Sequence, residues 1–172
     1  RVKALIPLDE RQKMKHTLTF VGIGQMGSGM ARRLSASGFD VLGFDISARS
    51  RELAEASGLN TQGDLQQAMH NRQVVLSSVP NADTARQAWL GPTGILKFAQ
   101  PGSFGIELST IDPETMRQIA IAAHEKGVRM IDAPVSGDHT YIIHGSMHGA
   151  VYFSLTIEEG AEDGKMATNT AG

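Results

Sequence analysis

Three glycines placed between an apolar run and an amphipathic stretch constrain this chain more than any other feature. Residues 18–23 are rich in β-formers, with Leu18, Phe20, Val21 and Ile23, and read as a buried strand. The run passes into Gly22, Gly24 and Gly27, spaced as G-x-G-x-x-G with Ile23, Gln25 and Met26 between them. Met30, Ala31 and Leu34 follow at helical spacing until Gly38 ends the pattern. Each glycine has its own physical task. Gly22 permits a tight turn, Gly24 lets the backbone approach a ligand, and Gly27 lets the helix lie close on the strand. Unpaired N–H groups at the helix start then favour an anion. The bare glycine string also occurs in ordinary loops. Its place between strand and helix, with Asp45 closing the next strand, points instead to a dinucleotide, its pyrophosphate at the turn and its ribose at Asp45.

A carboxylate at Asp45 accepts hydrogen bonds from ribose hydroxyls and repels a 2′-phosphate, which favours NAD over NADP. Arg49 and Arg51 are the counter-signal, because guanidinium groups pair with phosphate. The alternative for both is a solvated helix start, and the alternative for Asp45 is an N-cap of the following helix.

Beyond this unit, strands and helices alternate. Residues 40–45 read as a strand, 48–57 as a helix closed by Gly58, and 64–70 as a short helix. Residues 74–79 form a buried strand stopped by Pro80, and 83–90 a helix broken by Gly91 and Pro92. A strand follows at 103–108, then a helix opened by Pro113 and running to about Lys126, then a strand at 128–132. With a further strand at 150–157, this predicts an α/β, Rossmann-like, doubly wound and mainly parallel sheet with helices on both faces. Residues 15–157 are expected to form that domain. Residues 1–14 read as a flexible N-terminal extension before a Met14-Lys15 start, and 158–172 as a polar tail.

Composition removes several function classes. The net charge of −2 supplies no basic field for nucleic acid or an anionic membrane, and one Trp and two Tyr make no base-stacking platform. No apolar run approaches the roughly 20 residues that span a bilayer. The lack of cysteine excludes disulfides, thiolate metal sites and a thiol nucleophile, and fits a reducing, cytoplasmic setting. His139, His144 and His148 match no zinc spacing and are expected in loop. His124 reads as a residue favoured by the dipole at a helix C-terminus.

Taken together, four stretches resemble the β-hydroxyacid dehydrogenase family, which includes 3-hydroxyisobutyrate dehydrogenase and tartronate semialdehyde reductase. The glycine turn with Met26 before the third glycine is the first. Ser78, Val79, Pro80 and Asn81 resemble the family's strand-four exit on the nicotinamide side. Glu107 with Ser109, Thr110 and Pro113 resembles a second signature, which usually begins with Asp. Asp132, Pro134, Ser136 and Gly137 resemble the substrate loop, with Asp138 where a second glycine is usual. The matches run in order over residues 17–137.

The resemblance implies NAD-dependent oxidation of a small 3-hydroxy acid to its semialdehyde, or the reverse. It implies that Gly22, Ile23, Gly24, Gln25, Met26, Gly27, Asp45, Val79, Pro80 and Thr110 contact cofactor, and that Ser109, Ser136, Gly137 and Asn169 hold substrate. A lysine followed one turn later by an asparagine moves the proton in that family. Lys165 and Asn169 have the spacing, without the family's flanking glycines. The tail is then a remnant of the interdomain helix, and the family's all-helical second domain, which completes the cleft and mediates dimerisation, is absent or truncated. Homo-oligomerisation stays open. The alternatives are a non-catalytic dinucleotide-binding module and an NADP-dependent semialdehyde or imine reductase.

Overall fold

The computed structural model describes residues 17–134, together with the backbone of two strands at 141–147 and 151–157. Six parallel strands form one sheet: β1 (Thr17–Val21), β2 (Asp40–Phe44), β3 (Thr61–Gln62), β4 (Val74–Ser77), β5 (Phe104–Glu107) and β6 (Arg129–Asp132). Their order is β3-β2-β1-β4-β5-β6, so the chain winds outward from β1 in one direction, returns, and winds out from β4 in the other. The reversal opens a crevice at the carboxyl ends of β1 and β4, where ligands of open α/β sheets bind.

The connecting helices are α1 (Gln25–Ala36), α2 (Ala48–Ala56), α3 (Leu65–Ala68), α4 (Ala82–Leu90), α5 (Ile95–Phe98) and α6 (Pro113–Glu125). Period-two alternation along each strand decides which face they cover. Leu18, Phe20, Leu76 and Ile106 pack with Ala31, Leu34 and Ala54, the buried stripe of α1 and α2. Val21 and Val75 point the other way, onto Leu65, Ala85, Trp89, Ile119 and Ala123 of α3, α4 and α6. A sheet covered on both faces accounts for near-continuous apolar strands such as β4 and β5. Trp89 and Phe20 are wholly buried, and each such side chain contributes about 1.5–3 kcal/mol through burial. At the end of the sheet away from the crevice, the guanidinium of Arg72 donates to the carbonyls of Leu18 (3.0 Å) and Asp40 (2.7 Å), tying β1 to β2. No helix among the described residues is long and apolar enough to cross a membrane.

The doubly wound sheet matches expectation, with three corrections. The sixth parallel strand is the two-residue β3 rather than residues 150–157. That later stretch is β8 (Val151–Ile157), paired antiparallel with β7 (Tyr141–Met147) in a separate sheet. The segment around His144, expected as loop, is therefore strand. His139 and His148 lie outside the described residues. The four-residue α5 was not anticipated, because Gly94 and Ala99 bracket a stretch too short for helical periodicity to register.

Candidate functional site

Residues that the sequence pattern grouped converge on the carboxyl edge of β1, β2 and β4. Gly22 turns the chain out of β1 at φ +86°, a conformation open mainly to glycine, and its N–H donates to the carbonyl of Phe44 (2.9 Å). A Cβ on Gly22 would overlap the Ser78 carbonyl oxygen, and one on Gly27 would overlap the Gly22 carbonyl oxygen. These two positions press α1 onto β1 and the segment following β4. Gly24 differs: a Cβ there would meet nothing within 4 Å. Its lack of a side chain serves no packing purpose inside the fold and leaves open the approach to α1.

The N-terminus of α1 is prepared for an anion. Gly24 is its N-cap and offers no side-chain acceptor, and the first turn carries no acidic residue. Four other helices are capped by side chains: Ser47, Asp64, Asn81 and Asp112 each accept a backbone N–H at the starts of α2, α3, α4 and α6, whereas the four-residue α5 begins at Gly94 without one. The cap hydrogen bonds from Thr115 hold the Asp112 carboxyl below its ordinary value. At α1 the amides of Gln25, Met26 and Gly27 lack such a partner, so the positive end of the helix faces the exposed turn.

Asp45 stands beside that turn. Its Oδ2 accepts the N–H of Ile23 at 3.1 Å and its Oδ1 the N–H of Ser47 at 2.9 Å. One carboxylate thus joins the glycine turn to the start of α2. Each oxygen has further lone pairs for hydroxyl donors, since a carboxylate accepts about four bonds. The N-cap of α2 is Ser47, which removes the alternative role weighed for Asp45. Arg51 donates to the Asp45 carbonyl at 2.6 Å and lies against Gly63, while the exposed Arg49 faces Glu52 at 3.9 Å. The Arg51 guanidinium is therefore held within the fold while Arg49 stays largely in solvent, and sequence reasoning had not seen Arg51 as a brace for the Asp45 loop. Ile46, next to Asp45, is 89% exposed.

On the other side of the crevice, the Val79 N–H donates to Ser109 Oγ at 2.7 Å, which links the exits of β4 and β5. Val79 also borders Gly22, with its Cγ1 at 3.2 Å from the position a Cβ there would take. Pro80 and Thr110 flank the two exits and are exposed. Gly22, Ile23, Gly24, Gln25, Met26, Gly27, Asp45, Val79, Pro80, Ser109 and Thr110 thus share the carboxyl edge of the sheet. Ser136, Gly137, Lys165 and Asn169 lie outside the described residues. So do residues 1–14 and the tail from 158. Among the described residues no three metal-ligating side chains cluster.

Comparison with known proteins agrees with this geometry. A family profile described as the NAD binding domain of 6-phosphogluconate dehydrogenase matches residues 17–152. An NAD-dependent L-serine dehydrogenase from Pseudomonas aeruginosa is 34% identical over 120 residues, covering 70% of this chain and 40% of that protein. The structure of Mycobacterium tuberculosis 3-hydroxyisobutyrate dehydrogenase with L-serine superposes with a TM-score of 0.67 at 31% identity, over 72% of this chain and 42% of that one. Psf3, solved with NADP+ and 2-OPP, gives a TM-score of 0.65 at 27% identity, over 70% of this chain and 43% of that one. The chain spans about 40% of the length of the first two relatives.

Proposed function

We propose that this chain, which belongs to the family of the NAD binding domain of 6-phosphogluconate dehydrogenase, is the cofactor half of an NAD-dependent oxidoreductase. Its substrate is a small 3-hydroxy acid of the 3-hydroxyisobutyrate type, oxidised to the semialdehyde or formed from it. The observation that carries the proposal is the uncapped start of α1 behind an unobstructed Gly24, with the Asp45 carboxylate anchored beside it. Dehydrogenase names among the relatives support the reaction class.

The residues present fit the dinucleotide. The amides of Gln25, Met26 and Gly27 would receive the pyrophosphate, and Asp45 the adenosine ribose hydroxyls. The side of the crevice formed by Val79, Pro80, Ser109 and Thr110 would receive the nicotinamide half. Bound NAD supplies the hydride acceptor. Ser136 and the backbone N–H of Gly137, with Ser109 and Asn169, would hold the substrate carboxylate and orient its hydroxyl. Lys165 would take the hydroxyl proton during oxidation and return it during reduction. In this assignment residues 15–157 make up the NAD-binding domain.

NAD is preferred to NADP because Asp45 would repel a 2′-phosphate and the Arg51 guanidinium is already held by the Asp45 carbonyl. A second reading is a dinucleotide-binding module without catalysis, since the observed geometry supports the cofactor site alone. Calorimetry with NAD, followed by a turnover assay with 3-hydroxyisobutyrate, separates the two. Turnover that disappears in Lys165→Ala while NAD still binds supports the dehydrogenase. Binding without turnover in the unaltered chain selects the module.

A further inference from the structure

Glu107 closes β5 with a carboxylate that is wholly buried. Three neutral donors converge on it. The Ser77 hydroxyl and the Trp89 indole N–H each reach Oε2 at 2.7 Å, and the Ser109 backbone N–H reaches Oε1 at 2.8 Å. The indole N–H also lies 2.9 Å from Ser77 Oγ. Ser109 in turn receives the Val79 N–H on its own oxygen at 2.7 Å. A continuous set of hydrogen bonds therefore runs from α4, through the ends of β4 and β5, to the segment beside the glycine turn.

Packing alone does not call for a carboxylate here. An apolar side chain of similar volume fills such a space without the desolvation cost of a buried charge, and that cost is tolerable only where hydrogen bonds satisfy the oxygens. What the carboxylate adds is fixed geometry: two oxygens, both accepting, hold donors on opposite sides. On one side they are side chains of β4 and α4; on the other is the backbone of residue 109.

We infer that Glu107 is a positioning residue for the nicotinamide half of the dinucleotide. It fixes Ser109 and, through the Ser109–Val79 bond, the crevice wall on which that half rests. This rests on the function proposed above. The adenosine half depends on different groups, the α1 amides and Asp45, and among the described residues those make no hydrogen bond to the Glu107 network. Glu107 therefore bears most directly on the nicotinamide half, and on the adenosine half only through the packing of Val79 beside Gly22.

ADP-ribose, which lacks the nicotinamide ring, makes the distinction measurable. In Glu107→Gln one acceptor oxygen becomes an NH2 donor, which must face a donor on one side of the network. Calorimetry is expected to show the NAD Kd rising about tenfold while the ADP-ribose Kd stays within about twofold. Parallel weakening of both ligands, or no change in either, would overturn the inference.

If that variant does not fold, the unaltered chain still provides a test. Trp89 is the only tryptophan, so a single indole N–H proton resonance reports on the network. Saturating NAD is expected to shift it and saturating ADP-ribose to leave it in place. Equal shifts with both ligands, or none with either, would overturn the role of Glu107. Failure of the unaltered chain to bind either ligand would overturn the dinucleotide assignment along with it.

Discussion

Gly24→Ala separates a glycine kept for a ligand from glycines kept for the fold. An added Cβ at position 24 meets nothing within 4 Å, and the backbone there, at φ −64° and ψ −161°, is extended with a negative φ, so no left-handed conformation demands glycine. Alanine is a poorer N-cap than glycine, but it also restricts the unfolded chain by about 0.4–1 kcal/mol, so the two effects nearly offset. Stability should stay within about 1 kcal/mol of the unaltered chain, which is about 2–4 °C in Tm for a chain of this size. Binding should respond very differently. In the proposed site the new methyl would occupy the side from which the pyrophosphate reaches the amides of α1. Losing two charge-assisted hydrogen bonds at about 1.5 kcal/mol each weakens NAD by about 3 kcal/mol, more than a hundredfold in Kd. Gly27→Ala supplies the contrast. Its Cβ would overlap the Gly22 carbonyl and approach Phe20 to 3.1 Å, so α1 must move off β1 at an overpacking cost of about 1–3 kcal/mol or more. Thermal unfolding by circular dichroism and calorimetry with NAD measure both quantities on the same samples. Wild-type NAD affinity in Gly24→Ala would refute the reasoning, as would a Gly27→Ala protein that melts no lower than Gly24→Ala.

Other predictions follow from single groups. Asp45→Ala removes both the ribose acceptor and the link from Ile23 to Ser47, so NAD affinity should fall about tenfold or more, with discrimination against NADP reduced; competition between the two cofactors measures it. Arg51→Ala should weaken NAD and NADP alike if the guanidinium only braces the Asp45 carbonyl, whereas a selective loss of NADP would identify it as a phosphate receptor. Asp112 caps α6, and hydrogen bonds from Thr115 hold its carboxyl below the ordinary value of 3.8. Its contribution is therefore fully present above that value and lost as pH falls through the lowered one. Asp112→Ala should melt below the unaltered protein at pH 7, and the gap should close on acidification past the ordinary value.

The central fold was legible because its signals are local and physically specific. Gly22, Gly24 and Gly27 follow a run of β-formers and precede a helical stripe, and in the structure each plays a different part, one set by φ, one by open approach and one by contact. Pro113 marked the start of α6 because a missing N–H is harmless there. Elements without a local period were harder. β3 is two residues long and exists through its pairing with β2, so nothing in Thr61 and Gln62 alone announces it. β7 carries His144, Gly145 and Ser146, which break the apolar alternation that identifies a strand, and only pairing with β8 accounts for it. The position of Asp45 just after the second strand is legible in the sequence, but its bonds to Ile23 and Ser47 depend on two loops meeting in space. The same holds for Glu107. Its three donors come from residues 77, 89 and 109, brought together by the β4–β5 pairing and the packing of α4.

Calorimetric titration of the chain with NAD, NADH, NADP and NADPH tests the dinucleotide site most directly. One saturable site per chain is expected for NAD and NADH, with weaker binding of the phosphorylated pair. No heat with any of the four, from protein shown to be folded, would contradict the assignment of the glycine turn and Asp45 to a dinucleotide.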